Sequence, residues 1–162
     1  MKLFGTGHRP PKIPWNPEDP IRVSIRLEIH SLLLQLQPEL VLDGMAIGFD
    51  QDLARVCVDL GIPFEAAVPF KGQELRWPAQ VQLEYLRLLE RAAKVTYVCE
   101  GSYAAWKMHE RNKYMVDSVG ADGKGVALWD GSDGGTGSCL KYAKSRNIEW
   151  YTIDPDAIAN NL

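Results

Sequence analysis

Short apolar runs alternate along the chain with longer segments of helical period, the pattern of a mostly parallel sheet covered by helices. The predicted order is β-α-β-α-β-α-β-α-β-α-β. Lys2 to Phe4 reads as the first strand. After a proline-rich stretch from Pro10 to Pro20, Val23, Leu27, Ile29, Leu33 and Leu36 recur at near-helical spacing until Pro38 stops the helix. Leu40 to Leu42 is a second strand. Asp50 to Leu60 is a helix closed by Gly61, a residue that adopts the left-handed backbone of a C-terminus without steric cost. Phe64 to Val68 is the third strand.

Pro78 suits a first helical turn, where its missing N–H has no partner to lose, and Val81, Tyr85, Leu88, Leu89 and Ala92 continue the periodic face. Val95 to Cys99 is the fourth strand, and Tyr103 to Ser118 is helical in pattern. Gly120 to Gly125 turns the chain into a fifth strand, Val126 to Trp129. Gly134 to Lys144 is a further helix, and Glu149 to Ile153 closes the sheet. The class expected is α/β, a three-layer sandwich around a mostly parallel central sheet. Neither a repeat, a low-complexity segment nor a linker interrupts the chain, so one domain is expected over residues 1–162.

Composition narrows this picture. A chain of 162 residues, 46% hydrophobic and 24% charged, is long enough to bury a substantial core. Its longest apolar stretches are broken by Gln, Glu or Pro well short of a membrane span, and Met1 to Gly7 reads as a strand rather than a signal peptide. A soluble, cytoplasmic protein without membrane partners is the expectation. Cys57, Cys99 and Cys139 are odd in number, widely spaced and set among apolar neighbours, which predicts buried reduced thiols and neither a disulfide framework nor a metal site. A net charge of −3 with scattered basic residues disfavours nucleic acid as a partner.

In an open α/β sheet, ligands bind outside the carboxyl ends of the strands, where the following helices point their N-termini. Three glycine-rich loops fall there: Gly5-Thr6-Gly7-His8-Arg9, Asp43-Gly44-Met45-Ala46-Ile47-Gly48-Phe49-Asp50, and Asp130-Gly131-Ser132-Asp133-Gly134-Gly135-Thr136-Gly137. Glycine lets successive backbone N–H groups converge on an anion at a helix N-terminus. Any one such loop is explained as well by a tight turn or close packing; three on one sheet edge favour a phosphate site. None has the spacing of a dinucleotide fingerprint or a Walker A loop, which argues against ordinary NAD dehydrogenases and P-loop NTPases.

Thr6 and Thr136 are suited to donate hydroxyl hydrogen bonds to phosphate, and Thr136 also suits a helix N-cap. Arg9 fits a bidentate clamp on a phosphate or carboxylate, or a surface ion pair. His8 fits an acid, base or phosphate donor, or a plain hydrogen-bonding role. Asp50, at a helix start, fits capping or a ribose hydroxyl contact.

In order, these loops and the segments between them resemble the SLOG superfamily, the Rossmann-like group that joins the YpsA-like proteins, the DprA/SMF recombination mediators and the LOG phosphoribohydrolases. The likeness is strongest to the YpsA-like branch. It rests on the first two loops, on Pro69-Phe70-x-x-Gln73-Glu74-x-x-Trp77, on Gln82, Tyr85 and Arg111-Asn112-Lys113-Tyr114-Met115-Val116-Asp117, and on Trp129-Asp130-Gly131 with Gly134-Gly135-Thr136. It implies a Rossmann-like fold and a nucleotide-type ligand, adenosine phosphates and ADP-ribose derivatives being the classes associated with the superfamily. No further cofactor is implied. The site residues carried over are Gly5, Thr6, Gly7, His8, Arg9, Gly44, Met45, Ala46, Gly48, Asp50, Phe70, Trp77, Arg111, Asn112, Asp130, Gly134, Gly135 and Thr136.

Several of these have structural alternatives. Trp77 offers a face for stacking on a base or ribose, or fills a core or dimer interface. Glu74 suits a ribose hydroxyl or general acid/base work, or is a solvated loop carboxylate. Arg111 faces a ligand phosphate, or its helix forms a dimer face.

Phosphoribohydrolases of the LOG branch carry Pro-Gly-Gly-x-Gly-Thr followed closely by a catalytic Glu. Here Gly137, Ser138, Cys139, Leu140 and Lys141 follow instead, and none is a carboxylate. The leading expectation is therefore a ligand-binding protein: a sensor, carrier or sequestering module. The alternative is N-glycosidic hydrolysis or transfer with a carboxylate from another loop, Glu74, Asp50 or Asp130, and single-stranded DNA binding ranks third. A homodimer is expected, with Trp15, Trp77, Tyr103 and Trp106 as candidate anchors.

Overall fold

A computed structural model describes all residues, 1–162. Six strands, β1 (Lys2–Gly7), β2 (Leu40–Asp43), β3 (Phe64–Val68), β4 (Lys94–Tyr97), β5 (Lys124–Leu128) and β6 (Trp150–Ile153), form one sheet in the order β4-β3-β2-β1-β5-β6. Every neighbouring pair is parallel. The helices are α1 (Pro20–Leu36), α2 (Phe49–Leu60), α3 (Ala79–Arg91), α4 (Ala105–Ser118), α5 (Gly135–Ser145) and α6 (Pro155–Asn160), with a 3-10 turn at Gln73–Arg76. None is long and apolar enough to cross a membrane.

Side chains of a strand point alternately to its two faces, and here each face meets a helical layer. Leu3, Val41, Ala66, Val68, Val126 and Leu128 face α1, α2 and α3, whereas Phe4, Leu42, Ala67 and Ala127 face α4 and α5. That double burial is why the central strands read as short apolar runs with no polar alternation. The sheet edges differ: Val95, Tyr97 and Tyr151 are exposed on β4 and β6.

The expected elements are present, with shifted bounds and two additions. β1 runs on through the glycines to Gly7, because Gly5, Thr6 and Gly7 pair with Val126, Ala127 and Leu128 of β5. Pro78 is the N-cap of α3 rather than part of its first turn. Helix α6 begins at Pro155, where the Asp154 carboxylate accepts from the Asp156 amide. It and the 3-10 turn are too short for a hydrophobic period to reveal them. Cys57 and Cys139 are buried as expected, and burial pushes the Cys139 thiol up to about 11, so it stays protonated at neutral pH. Cys99, just beyond edge strand β4, is only half-buried.

The buried face of α1 corrects the sequence reading most. It is Arg22, Ile25, Ile29 and Leu33, while Leu27 is exposed and Val23 only half-buried. A charged residue takes the inner position because Asp52 of α2, itself fully buried, meets it through two bonds: Nε to Oδ2 at 2.7 Å and Nη2 to Oδ1 at 3.1 Å. Arg26 adds a third contact to Asp52 Oδ1 at 3.0 Å. The remaining Arg22 donors hold the carbonyls of Pro14, Trp15 and Gly48, so one guanidinium ties α1, α2 and the proline-rich loop together.

Removing one partner of such a cluster strands the others in low dielectric. Asp52→Ala, which leaves two guanidiniums without their counter-charge, is expected to destabilise the protein by about 3 kcal/mol in urea unfolding. A loss below about 1 kcal/mol would show that Arg22 and Arg26 reach water when Asp52 is gone.

Candidate functional site

Strand order reverses between β1 and β5, and a cleft of about 340 Å³ opens there at the carboxyl ends of the strands. Gly5, Thr6, Gly7, His8 and Arg9 line one wall, and Ser132 to Gly137 the other. Ala46 reaches it from the β2–α2 loop and Asp50 from the first turn of α2, and α4 contributes Arg111, Asn112 and Met115. The first and third glycine-rich loops thus face each other across the cleft, with the middle loop at its base.

The amides come from α5. Its N-cap, Gly134, has φ 147° and no side-chain cap, and the first capping-turn bond runs from the Ser138 N–H to the Gly134 carbonyl at 2.9 Å. The amides of Gly135, Thr136 and Gly137 therefore lack intrahelical acceptors, and all three residues line the cleft. Thr136 and, opposite it, Thr6 are both buried. The glycines of β1 serve packing as well: a Cβ on Gly7 would lie 2.4 Å from the Phe49 ring, so their absence lets α2 press against the strand end.

Cations face these amides. Arg111 is buried, donating from Nη1 to the Gly44 carbonyl at 2.6 Å and from Nε to Asn112 Oδ1 at 2.9 Å. A Cβ on Gly44 would come within 2.5 Å of that guanidinium, which is why this loop position is glycine. Arg9 and Lys12 add positive charge on the β1 side.

Two buried carboxyls share the floor with Arg111. Asp43 Oδ1 accepts from the Met45 amide at 2.8 Å and so supports the left-handed backbone of Met45, φ 58°. Asp50 Oδ2 accepts from the Ala46 amide at 3.1 Å. The second oxygen of each, Asp43 Oδ2 and Asp50 Oδ1, has no hydrogen-bond partner. Burial pushes the Asp43 carboxyl well above its usual range, and the neighbouring Asp50 charge adds to the rise. Burial raises Asp50 too, against the pull of Arg111. Burial correspondingly lowers the Arg111 pKa, while Asp50 draws it back up.

His8 Nε2 stands 3.0 Å from both the Asp130 amide nitrogen and Asp130 Oδ1. Burial lowers the His8 pKa below 6.5 despite the Asp130 charge, so at neutral pH the ring is uncharged and Nε2 accepts the Asp130 N–H. Asp130 accepts from the Ser132 hydroxyl at 2.5 Å and the Ser132 amide at 2.9 Å; these bonds, Ser132 hydroxyl first, hold its carboxyl low. Asp130 orders the loop ahead of α5 and is not itself a cleft wall.

Three expected contacts lie elsewhere. Trp77 meets Tyr85 edge to face at 5.4 Å, at the start of α3. Glu74 is buried in the 3-10 turn after β3. Phe70 lies beneath Lys107, 5.7 Å from its ammonium, with Tyr103 edge-on. All three follow β3, two strands away from the β1–β5 gap, and none lines the cleft. Gly44, Met45 and Gly48 do not line the cleft, though the Gly44 carbonyl holds Arg111. Lys12, Met108 and His109 line the cleft without having been singled out, and Ser132, Asp133 and Gly137 line it as part of the third glycine-rich loop. Met108 was legible: it is one turn before Arg111 and Asn112 on the same helix face, and Met115 is one turn after. Lys12 was not, since the path of its proline-rich loop depends on Arg22.

The buried Asp43 carboxyl makes stability depend on pH. Its folded pKa lies above the unfolded value of 3.8, so its contribution is fully present below pH 3.8 and is lost as pH rises through the folded pKa. Asp43→Asn keeps the oxygen that holds the Met45 amide and removes the titration. The stability of this variant relative to the native protein is expected to grow from pH 4 to pH 8 in urea unfolding; a difference independent of pH would count against a protonated Asp43.

No protein-family model matches the sequence. Among solved structures, DNA processing protein A (DprA) from Streptococcus pneumoniae is similar with a TM-score of 0.66 over 93% of this chain, at 14% identity. The chain spans about half of DprA, 49% of its length. The structure of TM1055 is similar with a TM-score of 0.58, over 92% of this chain and 71% of that one, also at 14% identity. Both likenesses establish the Rossmann-like fold, and neither singles out the YpsA-like branch. In sequence, the chain is 32% identical to the uncharacterized SPbeta prophage-derived protein YoqJ of Bacillus subtilis, across 80% of this chain and 90% of that protein. By that match, the chain belongs to the YoqJ family.

Proposed function

We propose that the cleft binds a phosphate-bearing nucleotide or nucleotide-derived ligand of the adenosine phosphate or ADP-ribose type, and that the chain serves as its sensor, carrier or sequestering module. The observation that carries this reading is the uncapped N-terminus of α5, whose Gly135, Thr136 and Gly137 amides share the cleft with the buried Arg111 guanidinium. The cleft volume, about 340 Å³, falls within the roughly 300–1,000 Å³ of small-molecule sites. The resemblance to the YpsA-like branch agrees with it.

N-glycosidic hydrolysis is the second reading. Asp50 favours it: this carboxyl lines the cleft, and burial raises its pKa above the ordinary carboxylate value. Binding ranks first because no carboxylate follows Thr136 within α5. Glu74 drops behind Asp50 as the candidate acid, since it does not line the cleft. DNA binding, suggested by the name of DprA, ranks below both on a net charge of −3. The exposed rings of Trp15, Tyr103 and Trp106 are the surfaces on which a homodimer would be built.

Gly135→Asp tests the site without threatening the fold. A Cβ at position 135 meets nothing within 4 Å, and a carboxylate in a first helical turn is favourable. The variant is expected to melt no lower than the native protein and to bind AMP and ADP-ribose at least ~10-fold more weakly in titration calorimetry, because the new charge occupies the anion's place. Undiminished binding by Gly135→Asp, or no binding of either compound to the native protein, would overturn the proposal. Release of free adenine from AMP, abolished in Asp50→Ala, would replace the binding reading with the hydrolytic one.

A further inference from the structure

We infer that Asp50 accepts hydrogen bonds from a pair of adjacent hydroxyls on the ligand, so that the cleft selects a ribose-bearing phosphate over a deoxy sugar phosphate or a bare anion. This rests on the phosphate reading of the α5 N-terminus and adds to it a second, chemically different subsite.

The anion subsite alone does not account for Asp50. A cleft shaped only for an anion gains from amides and guanidiniums and loses from a buried carboxylate, which repels the ligand in a medium that screens poorly. Asp50 is 6% exposed, belongs to the cleft lining, and has one oxygen, Oδ1, without any hydrogen-bond partner. Its other oxygen already holds the Ala46 amide, so loop support uses only half of the group. Arg111 leaves it unpaired, since the resolved bonds of that guanidinium go to the Gly44 carbonyl and the Asn112 side chain.

Oδ1 is shielded from solvent at the edge of the lining, so a small rotation of the carboxylate is what brings this unsatisfied acceptor to a donor that arrives with the ligand. Adjacent hydroxyls are the donors that commonly accompany a phosphate on a small molecule, and a carboxylate takes two of them without needing a proton of its own. Asp133, the other carboxylate in the lining, is exposed and solvated, and makes no comparable demand. The anion and the acceptor also come from opposite layers of the sandwich. Helix α5 supplies the amides and α2 supplies Asp50, with Arg111 of α4 in the same lining, an arrangement suited to a ligand with two ends.

The test compares AMP, 2′-deoxy-AMP, 2′,3′-dideoxy-AMP and inorganic phosphate by titration calorimetry on the native protein, Asp50→Asn and Asp133→Asn. The native protein is expected to bind AMP ~10- to 100-fold more tightly than the dideoxy compound, with 2′-deoxy-AMP between them. Asp50→Asn should lose that preference and bind inorganic phosphate as well as, or better than, the native protein; Asp133→Asn should keep the preference. Equal affinity of the native protein for AMP and dideoxy-AMP sinks the hydroxyl subsite but leaves the phosphate reading standing. A preference that survives in Asp50→Asn shows that another residue reads the hydroxyls. Failure of every phosphate compound to bind overturns both ideas at once. Near-ultraviolet circular dichroism checks that Asp50→Asn is folded, and if it is not, the analogue series on the native protein decides alone.

Discussion

The position of β1 in the middle of the sheet is the constraint from which the cleft follows. Parallel strands joined by helices cross over with one hand, so a chain that winds outward from β1 through β2, β3 and β4 lays α1, α2 and α3 on one face. To continue on the other side of β1, the connection after β4 must return, and α4 and α5 come to lie on the opposite face. The loop leaving β1 and the loop leaving β5 therefore depart in opposite directions from adjacent strands. The cleft opens between them, and the residues that end both strands, Gly7 and Leu128, are register partners.

Electrostatically, the cleft is a compromise between groups that attract an anion and groups that do not. Amides from α5, Arg111, Arg9 and Lys12 favour negative charge, while Asp43 and Asp50 are buried beside them. Two carboxyls lie buried against one guanidinium, and burial first, with the neighbouring Asp50 charge second, raises the Asp43 pKa well above the usual carboxylate range. Burial raises Asp50 as well, while the Arg111 guanidinium pulls it back down, so the arginine offsets part of the negative charge on the floor. The neutral His8 ring completes this arrangement, since it joins the two walls through the Asp130 amide without adding a cation.

Local pattern revealed what depends on local pattern. The six strands and five principal helices were legible because central strands buried on both faces leave apolar runs, and amphipathic helices leave a period. The inner face of α1 was obscured because a buried arginine looks like a surface residue until Asp52, 30 positions away, is known to meet it. The site divided in the same manner. Loops Gly5 to Arg9 and Gly134 to Thr136 converge, as their placement after strands implied, and Asp50 joins them. Trp77, Glu74 and Phe70 carried chemically suitable side chains, but strand order puts the end of β3 two strands from the gap. Order within a sheet is a long-range property, and no spacing along the chain encodes it.

Residues Asp43 to Asp52 show why fold and function cannot be assigned to separate parts of this molecule. Asp52 anchors α1, Gly44 holds Arg111, Asp43 shapes the turn at Met45, and Asp50 faces the ligand space, all within ten consecutive residues. A segment so tied has little freedom to lose when a ligand arrives, so the entropy cost of ordering the site is met in folding. Rigid donors of this sort bind any suitable anion, and they do not distinguish one phosphate compound from another. In the proposed reading, discrimination falls to a group the fold leaves unsatisfied; of the two carboxyls on the floor with an unpartnered oxygen, Asp43 and Asp50, only Asp50 belongs to the cleft lining.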